Sequence, residues 1–264
     1  MRTLSLFFLL ILLAFGCQNN AAESTEETAD EVETVESATD QYTITPFDPS
    51  TPYPDAKLES VAYEEGTFTF GVADYELKAQ TPDAGMKMCA NSAQGQHIHL
   101  IVDNKPYLAK YDATFAEDVA DGEHYMLAFL SRSYHESIKT DQAHLAKKMT
   151  VAHGSITEAT DIEEPMLFYS RPKGTYVGEK NTNKVMLDFY PVNLTLGADY
   201  KVKADINGQE EIFDVWQPYY IEGLPMGENT ITLTLVDGSG NAVDTPLNPV
   251  TRTFTLQADP TPAQ

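Results

Sequence analysis

The sequence predicts an all-β protein, with two tandem β-sandwiches behind an acidic, disordered tether. Three observations carry this. From Leu58 onward the apolar residues fall in short β-branched or aromatic runs bounded by turn residues. No segment shows the 3.6-residue period of an amphipathic helix. A two-strand pattern also occurs twice: His97-Ile-His-Leu-Ile-Val-Asp-Asn precedes Asp121-Gly-Glu-His-Tyr-Met-Leu, and Asp199-Tyr-Lys-Val-Lys-Ala-Asp-Ile-Asn precedes Met226-Gly-Glu-Asn-Thr-Ile-Thr. In each copy a strand ends in an Asn-containing turn, and a Gly-Glu turn opens a second strand.

The chain begins with Met1-Arg2 and an apolar run from Leu4 to Ala14. A membrane-spanning helix needs about 20 residues, so this shorter run fits the h-region of a signal peptide. It ends in Ala14-Phe-Gly-Cys17, small residues at −3 and −1 before a cysteine. The stretch resembles a lipobox, which implies a signal peptide over 1–16 and lipidation of Cys17. More than one acyl chain gives stable membrane anchoring. Gln18 in place of Asp after the cysteine favours, by the same resemblance, an outer-membrane lipoprotein.

Residues 17–56 read as the tether. Positions 18–56 hold ten acidic residues and no Lys or Arg, and Pro46, Pro49, Pro52 and Pro54 stiffen the approach to the folded part. From Lys57 onward 30 acidic residues still face 16 basic ones. Nucleic acid and anionic lipid headgroups demand a basic footprint and are poor partner candidates for this chain.

The first sandwich is expected over 57–157, with strands at Thr67–Val72, Glu76–Ala79, His97–Val102, His124–Leu130 and Lys148–Ala152. The second is expected over 165–257, with strands at Lys184–Phe189, Tyr200–Ala204, Asn229–Val236 and Thr251–Leu256, and a disordered tail over 258–264. The acidic link Glu158–Glu164 divides them. Apolar–polar alternation is clear in the last three strands, the sign of a sheet with one solvated face.

All six histidines lie in the first unit. His97 and His99 are two residues apart, so on a strand both imidazoles leave the same face. In an immunoglobulin-like sandwich the strand opened by His97 pairs antiparallel with the one opened by His124. The start of the first then lies beside the end of the second, which gathers His97, His99 and the segment Arg132–Glu136 at one end. His124 falls at the other, and His144 is a further candidate. Met86, Met88 and Cys89 precede the first of these strands. Imidazole, thioether and thiolate together suit copper or zinc, giving His97, His99, His135, Met86, Met88 and Cys89 as one candidate ligand set. The polar stretch Ser131-Arg132-Ser133-Tyr134-His135-Glu136 gives a candidate recognition patch for a phosphate or carboxylate.

The second unit is rich in aromatic residues, and Trp216-Gln-Pro-Tyr-Tyr220 reads as core or as a stacking platform for a sugar or peptide. There is no Gly-x-Ser-x-Gly elbow, His-Glu-x-x-His pair or glycine-rich phosphate loop, so no catalytic role is expected. The first unit, through Gly95-Gln-His97-Ile-His99 and Gly122-Glu-His124, resembles small immunoglobulin-like domains of bacterial envelope proteins. Through Ser131–Ser137 it also resembles envelope lipoproteins described as phosphopeptide-binding. These resemblances imply a membrane-anchored, non-catalytic module that binds an envelope protein, peptide or glycan through the His-rich end of the first sandwich. Copper or zinc binding by that same end is the alternative, and a structural spacer the third reading.

Overall fold

The computed structural model describes residues 42–260. The signal peptide, Cys17, the tether up to residue 41 and residues 261–264 lie outside the described residues. Among the described residues, no helix is long and apolar enough to cross a membrane.

Among the described residues, seventeen strands form four sheets. The first sandwich pairs a sheet of β2 (Lys57–Glu64), β3 (Thr67–Ala73) and β6 (Thr114–Ala116) with one in the order β5 (Leu108–Lys110), β4 (His97–Val102), β7 (Gly122–Ser131), β8 (His144–Ala152), β9 (Ser155–Asp161). The second has β1 (Thr43–Pro46), β15 (Tyr219–Glu222), β12 (Lys184–Val192) and β10 (Met166–Arg171) in one sheet. Its other sheet runs β11 (Gly174–Val177), β17 (Val250–Gln257), β16 (Gly227–Asp237), β13 (Tyr200–Ile206), β14 (Gln209–Phe213). The repeated sequence pattern marks equivalent pairs: β4 with β7 and β13 with β16, both antiparallel. The turns after β4 and β13 place Asn104 and Asn207 at φ of 54° and 53°, the left-handed region that asparagine tolerates.

Each sandwich has its own core. Phe68, Phe70, Ile98, Leu100, Met126 and Leu130 fill the first, and Leu187, Phe189, Val202, Leu233, Leu235 and Phe254 the second. A third apolar layer joins them, where Ile101, Leu127 and Phe129 meet Met166, Phe168, Tyr190 and Val192. Strands β4, β7, β10 and β12 are therefore covered on both faces, which explains their nearly unbroken apolar sequences. The outer strands β13, β16 and β17 keep one face in solvent and alternate. Asn104 fixes the junction in register: its Nδ2 donates to the Leu167 carbonyl at 2.8 Å, and its Oδ1 accepts from the Tyr169 N–H at 2.8 Å.

Four expectations change. Residues from 42 on are not tether: β1 pairs with β15, Phe47 is buried, and the Lys87 ammonium donates to the carbonyls of Asp48 and Pro49. Glu76–Ala79 is a loop, because Lys78 takes a φ of 69° and its N–H and the Ala79 carbonyl bond to Gln96 instead. The acidic link is largely β9, which pairs with β8. Beyond β17, Asp259 accepts from the Glu179 N–H at 3.2 Å, which ties that part of the expected tail to the fold.

Candidate metal centre

Strand β4 builds the centre by alternation. Ile98 and Leu100 enter the first core, so His97 and His99 must project from the opposite face, toward the second sandwich. Antiparallel pairing sets His97 opposite Ser131, at the last residue of β7. The loop after β7 then turns back through hydrogen bonds from the Arg132 N–H to the Glu136 carbonyl (2.9 Å) and from the His135 N–H to the Arg132 carbonyl (2.8 Å). In that loop His135 holds a φ of 70°, a left-handed conformation that costs a non-glycine residue about 1–2 kcal/mol. Such strain is kept only where the surrounding structure enforces it.

These constraints bring three imidazole nitrogens to one point. His97 Nε2 lies 2.9 Å from His99 Nε2 and 3.0 Å from His135 Nδ1, and the third edge is 3.4 Å. Two nitrogens bound to one ion at about 2.0–2.1 Å are separated by about 2.9–3.4 Å for bond angles between octahedral and tetrahedral. The triangle already has those edges.

Protons cannot satisfy the same triangle. His97 Nδ1 donates to the Gly95 carbonyl at 2.8 Å, so its Nε2 is a bare lone pair when the ring is neutral. If His99 and His135 both donate to that lone pair, their protons face each other across the remaining edge. Gly95 holds the carbonyl in place at a φ of 87°, where a Cβ would collide with the backbone of Lys78 and Ala79. His99 is oriented differently. Its Nδ1 has no hydrogen-bond partner among the described residues, and its ring stacks on Tyr107 with centroids 3.7 Å apart and planes at 10°.

The three rings are neutral at pH 7. Burial is the main cause in each case, with the nearby charges of Arg171 and Lys173 adding to it. His97 is pushed down to about 4, and His99 and His135 lie well below the ordinary histidine value. Neutral imidazole is the ligating form. Arg171 and Lys173 belong to the second sandwich, so the centre sits at the junction and is not confined to the histidine-bearing unit.

The other expected ligands are not brought to this point. Met86 and Met88 are 75% and 61% exposed. Cys89 is buried in a separate apolar cluster with Phe47, Tyr134, Met186 and Tyr220, where burial pushes its thiol up to about 11. His144 packs against Tyr190, with ring centroids 4.9 Å apart, outside the trio. His124 sits at the far end of β7 and bonds through both nitrogens, to the Asp103 carboxylate (2.7 Å) and the Ala120 carbonyl (2.8 Å).

The expected recognition patch is closed. Ser131, Arg132, Ser133, Tyr134 and Glu136 are all buried. The Arg132 guanidinium donates to the carbonyls of Thr51 (2.7 Å) and Ser137 (3.2 Å) and pairs with Glu136 at 3.5 Å. Ser133 and Thr81 exchange backbone-to-hydroxyl bonds, and Ser50 donates to Glu136. The segment around Ser50 and Thr51, expected as tether, covers this loop and occupies its polar groups.

Trp216 is no open platform either. Its indole N–H donates to the Phe189 carbonyl at 2.9 Å, and its ring meets Tyr190 edge-on. It does border a cleft of about 690 Å³ with Asp141, His144, Tyr190, Asn193 and Asp214.

The chain matches no protein-family model and no curated protein. Among solved structures it is similar to the fibronectin(III)-like modules of Clostridium thermocellum CbhA, with 15% identity over 35% of this chain and 99% of that one at a TM-score of 0.28. A second likeness is to the central fibronectin-III array of RIM-binding protein, with 10% identity over 81% and 72% of the two chains at 0.27. A third is to a Ca2+-stabilized, ice-binding adhesin of an Antarctic bacterium, with 14% identity over 78% and 50% at 0.25. At TM-scores this low the likeness extends to neither site nor ligand.

Proposed function

We propose that this chain is an exported lipoprotein, anchored through Cys17, whose folded body binds one divalent copper or zinc ion through His97, His99 and His135. The observation that supports this reading is the triangle of three imidazole nitrogens with edges of 2.9–3.4 Å. Without thioether or thiolate the donor set is nitrogen-based, which suits Cu(II) and Zn(II) better than Cu(I). The junction position gives the ion a second effect, since it ties strand β4 and the 131–137 loop together where the two sandwiches meet.

The test is thermal unfolding of the purified chain with and without copper or zinc. At a free metal concentration a hundred times Kd, binding adds about 2.7 kcal/mol, or roughly 5–10 °C for a body of this size. The shift is expected in the native chain and is lost in His97→Ala. No shift, or the same shift in that variant, contradicts the reading.

A second reading, recognition of an envelope peptide or glycan, is supported by the cleft beside Trp216. Trp216 is the chain's single tryptophan, so its fluorescence reports on that cleft directly. Titration with oligosaccharides or peptides that leaves the emission unchanged removes this reading.

A further inference from the structure

The cleft beside Trp216 is built by both sandwiches. Asp141 comes from the 3-10 turn Asp141–Ala143 and His144 from the start of β8, while residues 190–196 and 214–216 of the second sandwich supply the rest of the lining. Part of that lining is apolar, through Leu194, Leu196 and Val215, and Val215 is 50% exposed. The Trp216 ring has Tyr190 edge-on to it, with centroids 4.7 Å apart, and the Lys139 ammonium 5.3 Å from its centre. A ring crowded in this way is a wall of the cleft and not a flat platform for a sugar.

The charges left in the lining are of one sign. Asp141 and Asp214 are exposed, and among the described residues neither pairs with a cation. Lys139 does not answer them, because its ammonium is committed to Asp188 at 2.8 Å and to the Ser137 hydroxyl at 2.6 Å. His144 is neutral at pH 7, since burial holds it below the ordinary histidine value. Hydrogen-bonding capacity is left over as well. Tyr190 lines the cleft and is 1% exposed, and its hydroxyl has no hydrogen-bond partner among the described residues. A buried hydroxyl without a partner is destabilising, and a ligand that supplies one removes that penalty.

Resting on the reading that this cleft is a recognition site, we propose that it takes a lysine side chain of a peptide. The alkyl stem lies along the apolar part of the lining, the ammonium is drawn by the carboxylates of Asp141 and Asp214, and the Tyr190 hydroxyl gains its missing partner from the ligand. An apolar stem with a charged head is the division that a lysine side chain offers. Unpaired carboxylates also speed the approach of a cation from solution.

The test follows Trp216 emission in the whole chain during titration with the blocked peptide Gly-Leu-Lys-Leu-Gly, with its acetyl-lysine form, and with cellohexaose. The lysine peptide should give a saturable change, with Kd raised at least about tenfold by acetylation. Asp141→Asn and Asp214→Asn should each raise Kd about two- to fivefold, the scale of exposed ion pairs. Tyr190→Phe should also weaken binding, yet leave the thermal midpoint unchanged or higher, because the hydroxyl it removes had no partner. Equal affinity for the two peptides, or unchanged affinity in the aspartate variants or in Tyr190→Phe, overturns the proposal while leaving the cleft a recognition site. Preference for cellohexaose over the lysine peptide does the same. If neither peptide nor oligosaccharide moves the emission, the recognition reading and this inference fall together.

Discussion

The two ends of the β4–β7 strand pair carry buried histidines with opposite fates. At one end His124 has a partner for each ring nitrogen, the Asp103 carboxylate and the Ala120 carbonyl. At the other, His97, His99 and His135 direct one nitrogen each at a common point, and their protons cannot satisfy all three edges. The residue type is shared, and His97, His99 and His124 are all buried strand residues, with half-buried His135 on the adjoining loop. What differs is whether the surroundings complete the hydrogen bonding. A buried imidazole with both nitrogens engaged is part of the scaffold, whereas three that converge on one point describe an ion-sized site.

The sharpest way to break this comparison is to exchange the fates. His99→Ala should weaken copper or zinc binding by more than about 100-fold, since even residues behind a ligand are worth about 10–100-fold; calorimetric titration checks it. Arg132→Met probes the opposite case, a buried charge already satisfied. It leaves the Glu136 carboxylate with the Ser50 hydroxyl but no counter-charge and should cost about 3–5 kcal/mol in urea unfolding.

Acid sharpens the difference further. The folded pKa of His97 is lowered to about 4, while the unfolded chain takes up its proton near 6.5. Stability of the metal-free chain is therefore full above pH 6.5 and falls as pH drops toward 4, by up to about 1.4 kcal/mol per pH unit for this residue alone. Urea midpoints across pH 7 to 4 measure it, and a flat profile contradicts the assignment. His124→Ala should cost about 1–3 kcal/mol by removing the ring's contacts with the Asp103 carboxylate and the Ala120 carbonyl, yet leave metal affinity unchanged. Smallest of all, Met86→Ala and Met88→Ala should alter that affinity by no more than roughly twofold, as expected of exposed side chains.

Much of the first half of this was legible in the sequence. The i, i+2 spacing of His97 and His99 fixed their common face, and antiparallel pairing brought the loop after β7 to them. The alternation of β13, β16 and β17 marked the solvated sheet. The unbroken apolar runs of β4, β7, β10 and β12 carried the opposite message, that a second sandwich covers them, but a run of that kind does not say what covers it. The polar patch and the tether were misjudged together. Proline and acidic residues at 46–55 resemble a linker locally, yet Phe47 finds the Cys89–Tyr134–Tyr220 cluster and Thr51 finds Arg132. Those contacts link residues some 40 to 170 positions apart, beyond the reach of local pattern. Arg171, Lys173 and Tyr107 were missed for the same reason: nothing in Arg-Pro-Lys or Lys-Pro-Tyr signals a place beside three histidines.

The most direct measurement is X-ray absorption at the metal edge of the chain loaded with one equivalent of zinc or copper. Three imidazole nitrogens at about 2.0–2.1 Å, with their outer-ring scattering, are the predicted result. A sulfur at about 2.3 Å, or an ion without imidazole scattering, would contradict the convergence of His97, His99 and His135 on one metal.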